Sequence, residues 1–325
     1  MVLGCPLPRS DSVFSSYASQ AVAGGGFNTT TISLMPTIPR CPAIWMYWDN
    51  RPGETRSGYL HLCEATVRHH AGSIPIHIVN RETLPDWIGT VRPEFDRLSL
   101  VHRADYARTR LVLAHGGLWL DMDTIALRDL SELYGLLSSS QFLCYGEVEI
   151  QCGTFAGPAD SPILRAWALS QDAVIDAAAD PSLLSWNSLG SDLIDWSELS
   201  ANSTRVPEWM IAPIDWRDWR EFLSRTLPSS TVLRDDPYVV ALYNAALHPH
   251  LGGMSAEDVL KSRRLFARLL RVGLGHVERD EADDLLVRFA ALGRLHLRLE
   301  QRKVVRSRIQ PIFPRKLLGR ARPRS

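Results

Sequence analysis

Two adjacent glycines separate a predicted helix from a short apolar strand that ends in two aspartates. The helix is predicted over residues 103–115, and helical spacing gives it a packed stripe of Ala104, Ala107, Leu111 and Ala114. Gly116-Gly117 ends the helix, as glycine commonly does just beyond a helix C-terminus. The strand at 118–120 runs directly into Asp121-Met122-Asp123. So short a turn brings the helix back against the strand, which predicts a packed α/β layer.

The segment before this helix predicts a parallel α/β unit. Residues 43–48 are aromatic and apolar, and a loop signal at 49–53 ends them, so they predict a buried strand. Residues 59–70 have helical spacing, and residues 74–79 predict a second strand. Strand, helix and strand in this order are typical of parallel sheets. Further short strands are predicted at 142–145 and 153–156.

The expected organisation has four segments. Residues 1–36 are rich in Ser, Thr, Gly and Ala and are expected to form a disordered leader. Residues 37–257 are expected to form the α/β catalytic domain. Residues 258–300 predict a helical extension, whose first helix interleaves apolar residues with Lys261, Arg263, Arg264, Arg268 and Arg271. Residues 301–325 predict a basic, flexible tail.

The charge of the chain is balanced in sum and uneven in distribution. The 36 basic and 36 acidic residues give a formal net charge of zero, which argues against a protein that binds nucleic acid with its whole surface, and no nucleic-acid partner is expected. Residues 302–325 hold nine of the basic residues and no acid, which leaves a net charge of −9 on the rest. The basic helix and tail suit an anionic membrane surface. The alternative is a solubilising tail.

Cysteine usage and hydropathy predict the compartment. The five cysteines are scattered without Cys-x-x-Cys spacing, which is neither a disulfide framework nor a zinc site and favours a reducing compartment. The sequence shows no signal-peptide pattern and no apolar run near the roughly 18 residues that a spanning helix needs. We therefore expect a cytoplasmic protein, or one that is peripheral on the cytoplasmic face of the membrane.

The Asp-Met-Asp segment is the candidate metal site. In an extended segment the side chains of Asp121 and Asp123 point the same way, so both carboxylates can face one divalent cation. Carboxylate oxygens suit Mg²⁺ or Mn²⁺, whose remaining ligands are often substrate phosphates and water. The alternative is an exposed turn that carries two acids. The position at the mouth of a buried strand favours the metal site, because α/β sheets bind ligands there.

Asp105 and Arg108 are one helical turn apart and share a face of the predicted helix. In an isolated helix the favoured interpretation is an ion pair on a solvated surface. The Gly-Gly turn, however, returns this helix to the strand that carries Asp121. An acid and an arginine beside a metal site could hold sugar hydroxyls through directional hydrogen bonds.

Five sequence segments carry a resemblance to a known group of enzymes. They are Arg-Ala-Asp-Tyr-Ala-Arg at 103–108, Gly-Gly-Leu-Trp-Leu-Asp-Met-Asp at 116–123, Ile-Trp-Met-Tyr-Trp at 44–48, and Leu-Tyr-Asn at 242–244 with Met-Ser-Ala-Glu-Asp-Val-Leu at 254–260. Together they resemble the sugar-binding region of nucleotide-sugar glycosyltransferases, above all the capsular polysaccharide synthesis proteins. Initiating α-1,6-mannosyltransferases and clostridial glucosylating toxins are relatives of that group.

The resemblance implies a GT-A fold, in which a Rossmann-type mixed sheet is flanked by helices. It implies transfer of a hexosyl group from a UDP- or GDP-sugar to a hydroxyl of a glycan or lipid-linked acceptor, with Mn²⁺ or Mg²⁺ and with retention. Asp121 and Asp123 match the metal and diphosphate motif, and Asp105 and Arg108 match donor-sugar contacts.

The resemblance also suggests residues around the nucleotide. Trp45 lies where such proteins place an aromatic group near the base, with Tyr47 as a second candidate, although core packing is an equal alternative for Trp45. In the late segment that closes over the diphosphate, Asn244 or the pair His248 and His250 are candidates.

The base or nucleophile and the acceptor site stay open. Glu147, Asp192 and Asp195 are candidates for the first, although Asp192 could instead cap a helix at 193–198. Trp209, Trp216 and Trp219 could form an acceptor platform or a buried aromatic cluster. Two other functions are an inactive sugar- or membrane-binding module and a glycoside hydrolase. The hydrolase needs carboxyls on opposite sides of a bond, about 5–9.5 Å apart, whereas Asp121 and Asp123 share one side.

The basic tail can be tested by flotation with anionic vesicles. Each Lys or Arg near such a surface contributes about 1 kcal/mol, so we expect full-length protein to bind at least tenfold more tightly than a chain truncated after Glu300. The difference should shrink in high salt, which screens these charges. Equal flotation of the two chains would exclude a membrane role for the tail.

Overall fold

The computed structural model of the protein describes residues 41–50, 53–137, 140–146, 150–194 and 202–281. The expected leader, the tail and the extension beyond residue 281 lie outside these residues. So do the candidate bases Glu147 and Asp195.

The described chain alternates strands and helices. The strands are β1 (Ile44–Tyr47), β2 (Ile76–Val79), β3 (Gly117–Leu120), β4 (Thr124–Ala126), β5 (Phe142–Tyr145), β6 (Gln151–Gly157), β7 (Ser203–Val206) and β8 (Val239–Ala241). The α-helices are α1 (Gly58–His70), α2 (Leu84–Ile88), α3 (Leu100–His115), α4 (Leu130–Gly135), α5 (Pro162–Ala177), α6 (Ser230–Leu233), α7 (Asn244–Leu251), α8 (Ala256–Lys261) and α9 (Leu265–Gly273). Short 3₁₀ turns include Pro93–Arg97, Pro181–Leu183, Ser191–Leu193, Glu208–Met210, Trp216–Leu223 and Arg279–Glu281.

Six of the strands form one mixed sheet in the order β2-β1-β3-β6-β5-β7. β1 is parallel to β2 and β3, β6 is antiparallel to β3 and β5, and β7 is parallel to β5. β4 and β8 form a separate antiparallel pair. The carboxyl ends of β1, β2 and β3 therefore meet at one edge. The expected α/β class, with a mixed sheet flanked by helices, is confirmed.

Side chains of β1 alternate between two cores, one on each face of the sheet. Ile44 and Met46 pack with apolar residues of α1 and α9, while Trp45 and Tyr47 pack with those of α3 and α5. All four β1 residues are at least 95% buried. Burial on both faces explains why the strand is apolar throughout and shows no polar alternation.

The Gly-Gly turn fits because no side chain intervenes between α3 and β1. Gly116 and Gly117 have φ values of +67° and +119°, which side-chain-bearing residues rarely adopt. A Cβ on Gly117 would lie 2.3 Å from the carbonyl oxygen of Ala43. Leu118 N donates to that same carbonyl at 3.0 Å, and Trp45 Nε1 donates to the Gly116 carbonyl at 2.9 Å. The two glycines thus allow α3 to end directly against β1.

Helix α3 differs from its predicted form in two ways. It begins at Leu100, three residues earlier than expected, because the Ser99 hydroxyl caps it by accepting from His102 N at 3.3 Å. Ala114 of the predicted stripe is exposed, so that position was wrong. The buried face instead includes Asp105 and Arg108. Apolar spacing alone could not show this, because the sheet meets a face that carries charged residues.

The predicted basic helix is part of the core. α8 crosses the expected boundary at 257/258, and every residue of α9 except Arg271 is buried. Arg268 is 1% exposed and donates to Ser229 Oγ at 3.0 Å and to two backbone carbonyls. Arg271 donates to the carbonyls of Leu260 and Ser262 at 2.7 and 2.9 Å, which satisfies the end of α8. Arg268 and Arg271 are therefore not available to a membrane surface, whereas Lys261 and Arg263 are exposed.

Among the helices that the structure describes, none is both long enough and apolar enough to cross a bilayer.

Substitution of Gly117 by alanine should destabilise the protein strongly. The new methyl group collides with backbone that cannot move away, and the φ value is strained as well, so we expect a loss of at least ~3 kcal/mol in the free energy of unfolding. Gly72→Ala is the matched control, because Gly72 has a φ of +58° and no atom of the described residues lies within 4 Å of a Cβ placed there. It should cost only about 1 kcal/mol. Urea unfolding measures both, and equal losses would contradict the close-approach explanation.

Candidate functional site

The two aspartates lie at the sheet edge where the parallel strands end, and each is fixed by a different sheet. Asp121 follows β3, and its backbone N donates to the Gly153 carbonyl at 2.8 Å, which continues the pairing with β6. Asp123 precedes β4, and its carbonyl accepts from Leu242 N, next to β8, at 3.0 Å. The Asp-Met-Asp segment is therefore the link between the six-stranded sheet and the β4–β8 pair.

Asp121 is partly open to solvent, with 34% of its side chain exposed. Its Oδ1 accepts from Trp119 Nε1 at 2.8 Å and pairs with Arg108 Nη2 at 3.1 Å. Its Oδ2 faces Gly153, where a Cβ would lie 3.0 Å away. Glycine at 153 thus leaves space beside the oxygen of Asp121 that the protein does not use.

Asp123 is positioned by the start of α7. Its Oδ2 accepts from the backbone N of Asn244, and the side-chain oxygen of Asn244 accepts from the Tyr59 hydroxyl. Tyr243, which precedes α7, has a left-handed φ of +60° that directs the amide of Asn244 toward Asp123. The sequence predicted Asn244 as a donor-binding residue. The structure does bring Asn244 to the aspartates, but its oxygen is already engaged.

Asp105 and Arg108 are buried beside Asp121, with 3% and 5% of each residue exposed. Arg108 Nη1 lies 3.3 Å from Asp105 Oδ1 and donates to the Cys152 carbonyl at 2.8 Å. The guanidinium lies 5.4 Å from the centre of the Trp119 ring, and its Nε has no hydrogen-bond partner among the described residues. Arg108 therefore joins Asp105 to Asp121, and the interpretation as a solvated surface ion pair is excluded.

The site holds more negative than positive charge in a desolvated setting. Burial raises the pKa of Asp105 to about 6, although Arg108 acts in the opposite direction. Burial and the neighbouring Asp121 raise the pKa of Asp123 to about 6. Burial also raises the pKa of Asp121, against the effects of Arg108 and Trp119. Arg108 pairs with Asp105 and Asp121 but not with Asp123, so an added cation would be stabilised here.

The residues present fit an open cation site rather than a closed one. Hydrogen bonds within the described chain use Oδ1 of Asp121 and Oδ2 of Asp123, which leaves the second oxygen of each carboxylate available. No group of three or more His, Cys, Asp or Glu residues that could hold a metal occurs in the described ranges. A Mg²⁺ or Mn²⁺ ion would therefore take two carboxylates and need the substrate and water for its other ligands, as Mg²⁺ commonly does.

Trp45 lies in a packed aromatic cluster. It is 1% exposed, and its ring contacts His77, Trp87 and His115 at centroid distances of 4.7, 4.9 and 5.2 Å. No open face remains for a nucleotide base, so the burial favours the core-packing alternative. Tyr47 is also buried, and its hydroxyl donates to Asp49.

A cleft at the ends of β1 and β2 was missed by the sequence reasoning. Its volume is about 750 Å³, and its lining includes Trp48, Asp49, Asn50, Asn80 and Arg103. Trp48 is half-buried, and its Nε1 donates to Asn50 Oδ1 at 2.8 Å. The available signal was position, because Trp48 follows the last residue of β1 and so lies at the sheet edge, whereas Trp45 lies inside the strand.

The remaining candidate residues have contacts and exposure of their own. Asp192 is exposed within the 3₁₀ turn Ser191–Leu193 and accepts from Asn187 Nδ2 at 2.5 Å. Most of the helix predicted at 193–198, which Asp192 could cap, lies outside the described residues. His250 stacks on Trp219 at 5.3 Å. His248 lies in the last turn of α7. Trp209 and Trp216 are 39% and 57% exposed, so they are not a buried cluster.

Comparison with solved structures finds glycosyltransferases. GlyE of Streptococcus pneumoniae TIGR4 has 12% identity and a TM-score of 0.42 over 78% of this chain; the chain spans less than two thirds of GlyE, at 64%. The galactosyltransferase LgtC, solved with donor and acceptor sugar analogues, has 13% identity and a TM-score of 0.39 over 70% of this chain and 95% of LgtC. A glycosyltransferase involved in glycosylation of the PBCV-1 major capsid has 12% identity and a TM-score of 0.38 over 65% of this chain and 99% of its own.

The sequence matches no protein-family model and no curated protein. At 12–13% identity and these TM-scores, the neighbours assign no role to any residue of this chain.

Asp105→Asn should stabilise the protein at neutral pH. A pKa of about 6 against the ordinary 3.8 means that the folded state favours the protonated acid. The stability that Asp105 contributes is thus complete below about pH 4 and is lost as the pH rises through about 6. We expect the variant to be ~3 kcal/mol more stable than wild type at pH 7.5, with no difference near pH 4. Urea unfolding at both pH values measures this.

The control for this prediction is Asp86→Asn, because Asp86 is exposed. It should show no such pH-dependent difference. An Asp105→Asn protein that is less stable than wild type at pH 7.5 would contradict the prediction.

Proposed function

We propose that this protein is a metal-dependent glycosyltransferase that moves a hexosyl group from a nucleoside-diphosphate sugar to an acceptor hydroxyl. One observation carries the proposal. Arg108, buried on α3, links Asp105 to Asp121 at the edge of a sheet where two aspartates each keep one oxygen available. This combination provides a cation site and directional polar groups for a sugar in the same place.

Each residue of the site has a proposed role. Asp121 and Asp123 would hold the Mn²⁺ or Mg²⁺ ion, which supplies electrostatic stabilisation of the departing diphosphate. Arg108 fixes the orientation of Asp121 and, with Asp105, hydrogen-bonds hydroxyls of the donor sugar. Trp48, at the mouth of the cleft beyond β1, is placed to contact the nucleoside. The buried contacts of α3 and β3 hold these side chains in position.

We further propose that transfer occurs with retention. The bond from the anomeric carbon to the diphosphate oxygen breaks, a new bond to the acceptor oxygen forms on the same face, and the acceptor proton passes to the released diphosphate. This route needs no protein base.

The acceptor is proposed to be a glycan or a lipid-linked glycan. Trp209 and Trp216 are large, exposed apolar side chains of the kind that stack on sugar faces. A cytoplasmic location and a lipid-linked acceptor remain predictions from the sequence.

The proposal is tested by release of nucleoside diphosphate from a panel of UDP- and GDP-sugars. We expect turnover with Mn²⁺ or Mg²⁺, none with a chelator, and a loss of at least about a hundredfold in Asp121→Asn and Asp123→Asn, because each removes a charged ligand. Binding of Mn²⁺ to the wild type and to each variant, followed by calorimetry, gives a readout that is independent of turnover.

Asp86→Asn serves again as the control and should behave as wild type. Circular dichroism checks that the variants are folded. Turnover without metal, or full turnover in both aspartate variants, would overturn the proposal. Metal and nucleotide binding without transfer to any acceptor or to water would favour the inactive binding module.

A further inference from the structure

A second arginine approaches the Asp-Met-Asp segment from the side opposite Arg108, and the site described above does not use it. Arg56 immediately precedes the cap of α1, and its Nη1 lies 3.6 Å from the sulfur of Met122. Met122 stands between the two aspartates in the sequence and is buried in the core that contains α1. Arg56 therefore reaches the segment on the face that packs against α1, whereas Arg108 reaches it from α3.

The Arg56 side chain has several polar partners, but not all of its N–H donors are hydrogen-bonded. Its guanidinium pairs with Glu64, and its Nη2 lies 2.8 Å from His61 Nδ1. Glu64 also pairs with Arg68 at 2.8 Å, so two guanidinium groups share one carboxylate. Only 16% of the Arg56 side chain is exposed, and its buried Nε has no hydrogen-bond partner in the described part of the chain. The group keeps spare donor capacity and a local excess of positive charge.

The N-terminus of α1 adds a second unsatisfied donor. Ser57 is the N-cap of this 13-residue helix, yet its side chain makes no capping hydrogen bond and the first turn contains no acid. Ser57 is 5% exposed, and its buried hydroxyl has no hydrogen-bond partner of normal geometry among the described residues, although it acts on the neighbouring Tyr59 hydroxyl. Helix N-termini carry partial positive charge and bind anions such as phosphate through their free donors. Because the helix backbone does not use the Ser57 hydroxyl, that group can donate to an anion at this end of α1.

The start of α1 is also close to Asp123. The Tyr59 hydroxyl, in the first turn, donates to the side-chain oxygen of Asn244. The backbone N of Asn244 in turn donates to Asp123. Burial raises the pKa of the Cys63 thiol; the charge of Asp123 raises it further and that of Arg56 lowers it, so both charges act on one side chain of α1. The idle donors of Arg56 and Ser57 and the available oxygen of Asp123 thus lie around the same end of the helix.

The charge balance of the site favours a second cationic side chain beside the bound diphosphate. Asp105, Asp121 and Asp123 outnumber Arg108 by two negative charges, and a divalent cation balances these two. A nucleoside diphosphate brings at least two more, and Arg108 is already shared between two carboxylates. We propose that Arg56, together with the Ser57 hydroxyl and the first turn of α1, binds the diphosphate of the donor. The inference rests on the proposed function and assigns its phosphate contacts to residues that the sequence did not single out.

The test compares nucleotides with their nucleosides by calorimetry in the presence of Mn²⁺. Arg56→Met should weaken UDP or GDP binding by about ten- to a hundredfold, as loss of a charged hydrogen-bonding group does, and should leave uridine or guanosine binding unchanged. Arg56→Lys, which keeps the charge and loses the planar fork, should fall between. Ser57→Ala should weaken diphosphate binding several-fold without lowering the urea midpoint, because its hydroxyl caps nothing.

Arg68→Met is the matched control, since Arg68 pairs with the same Glu64 but is 53% exposed, and it should bind both nucleotides as wild type does. Diphosphate affinity unchanged in Arg56→Met, or an equal loss for nucleoside and nucleotide, overturns the inference. If Asp121→Asn abolishes nucleotide binding while Arg56→Met does not, only this inference fails. If wild-type protein binds no nucleotide with Mn²⁺, the proposed function fails together with it.

Discussion

A buried guanidinium links the helix and the strand that form the candidate site. Arg108 contacts Asp105 on its own helix, Asp121 beyond β3 and the carbonyl of Cys152 on β6. A charge removed from water is tolerated only when it is paired and hydrogen-bonded, so these three elements must keep one relative position. The Gly-Gly turn permits that relative position, because it lets α3 end directly against β1. Packing of α3 and the geometry of the aspartates therefore depend on the same contact.

The aspartates are two residues apart but are fixed by separate parts of the protein. Asp121 continues the large sheet, and Asp123 is tied to the β4–β8 pair and to the start of α7. α1 and α9 pack against β4, so the position of Asp123 depends on segments that are distant from it in the sequence on both sides. This explains why the C-terminal helices, which looked like an appended basic extension, are integral to the core. Their arginines satisfy backbone carbonyls inside the protein.

Local patterns predicted much of the fold and part of the site. The strands at 142–145 and 118–120, the helix at 59–70 and the fold-back of α3 were correct to within a residue or two, because each depends on short-range periodicity and glycine geometry. Trp45 and α9 were interpreted less well. Whether an aromatic ring or a basic side chain meets solvent depends on partners distant in the sequence, such as His77 and Trp87 for Trp45 and Leu227 for Arg268. Ala114 shows the same limit within one helix.

The sequence by itself determined the α/β class, the order of its elements and the proximity of Asp105, Arg108 and Asp121. These follow from helical spacing, a two-glycine turn and a strand that ends in two acids. Only the tertiary structure decided which groups are engaged and which are available. It showed that Asn244 is committed to Asp123 and Tyr59, that Trp48 rather than Trp45 borders a cleft, and that Arg56 and Ser57 retain unused donors. The physical reason is that hydrogen-bond satisfaction and burial are set by contacts between segments that no local pattern encodes.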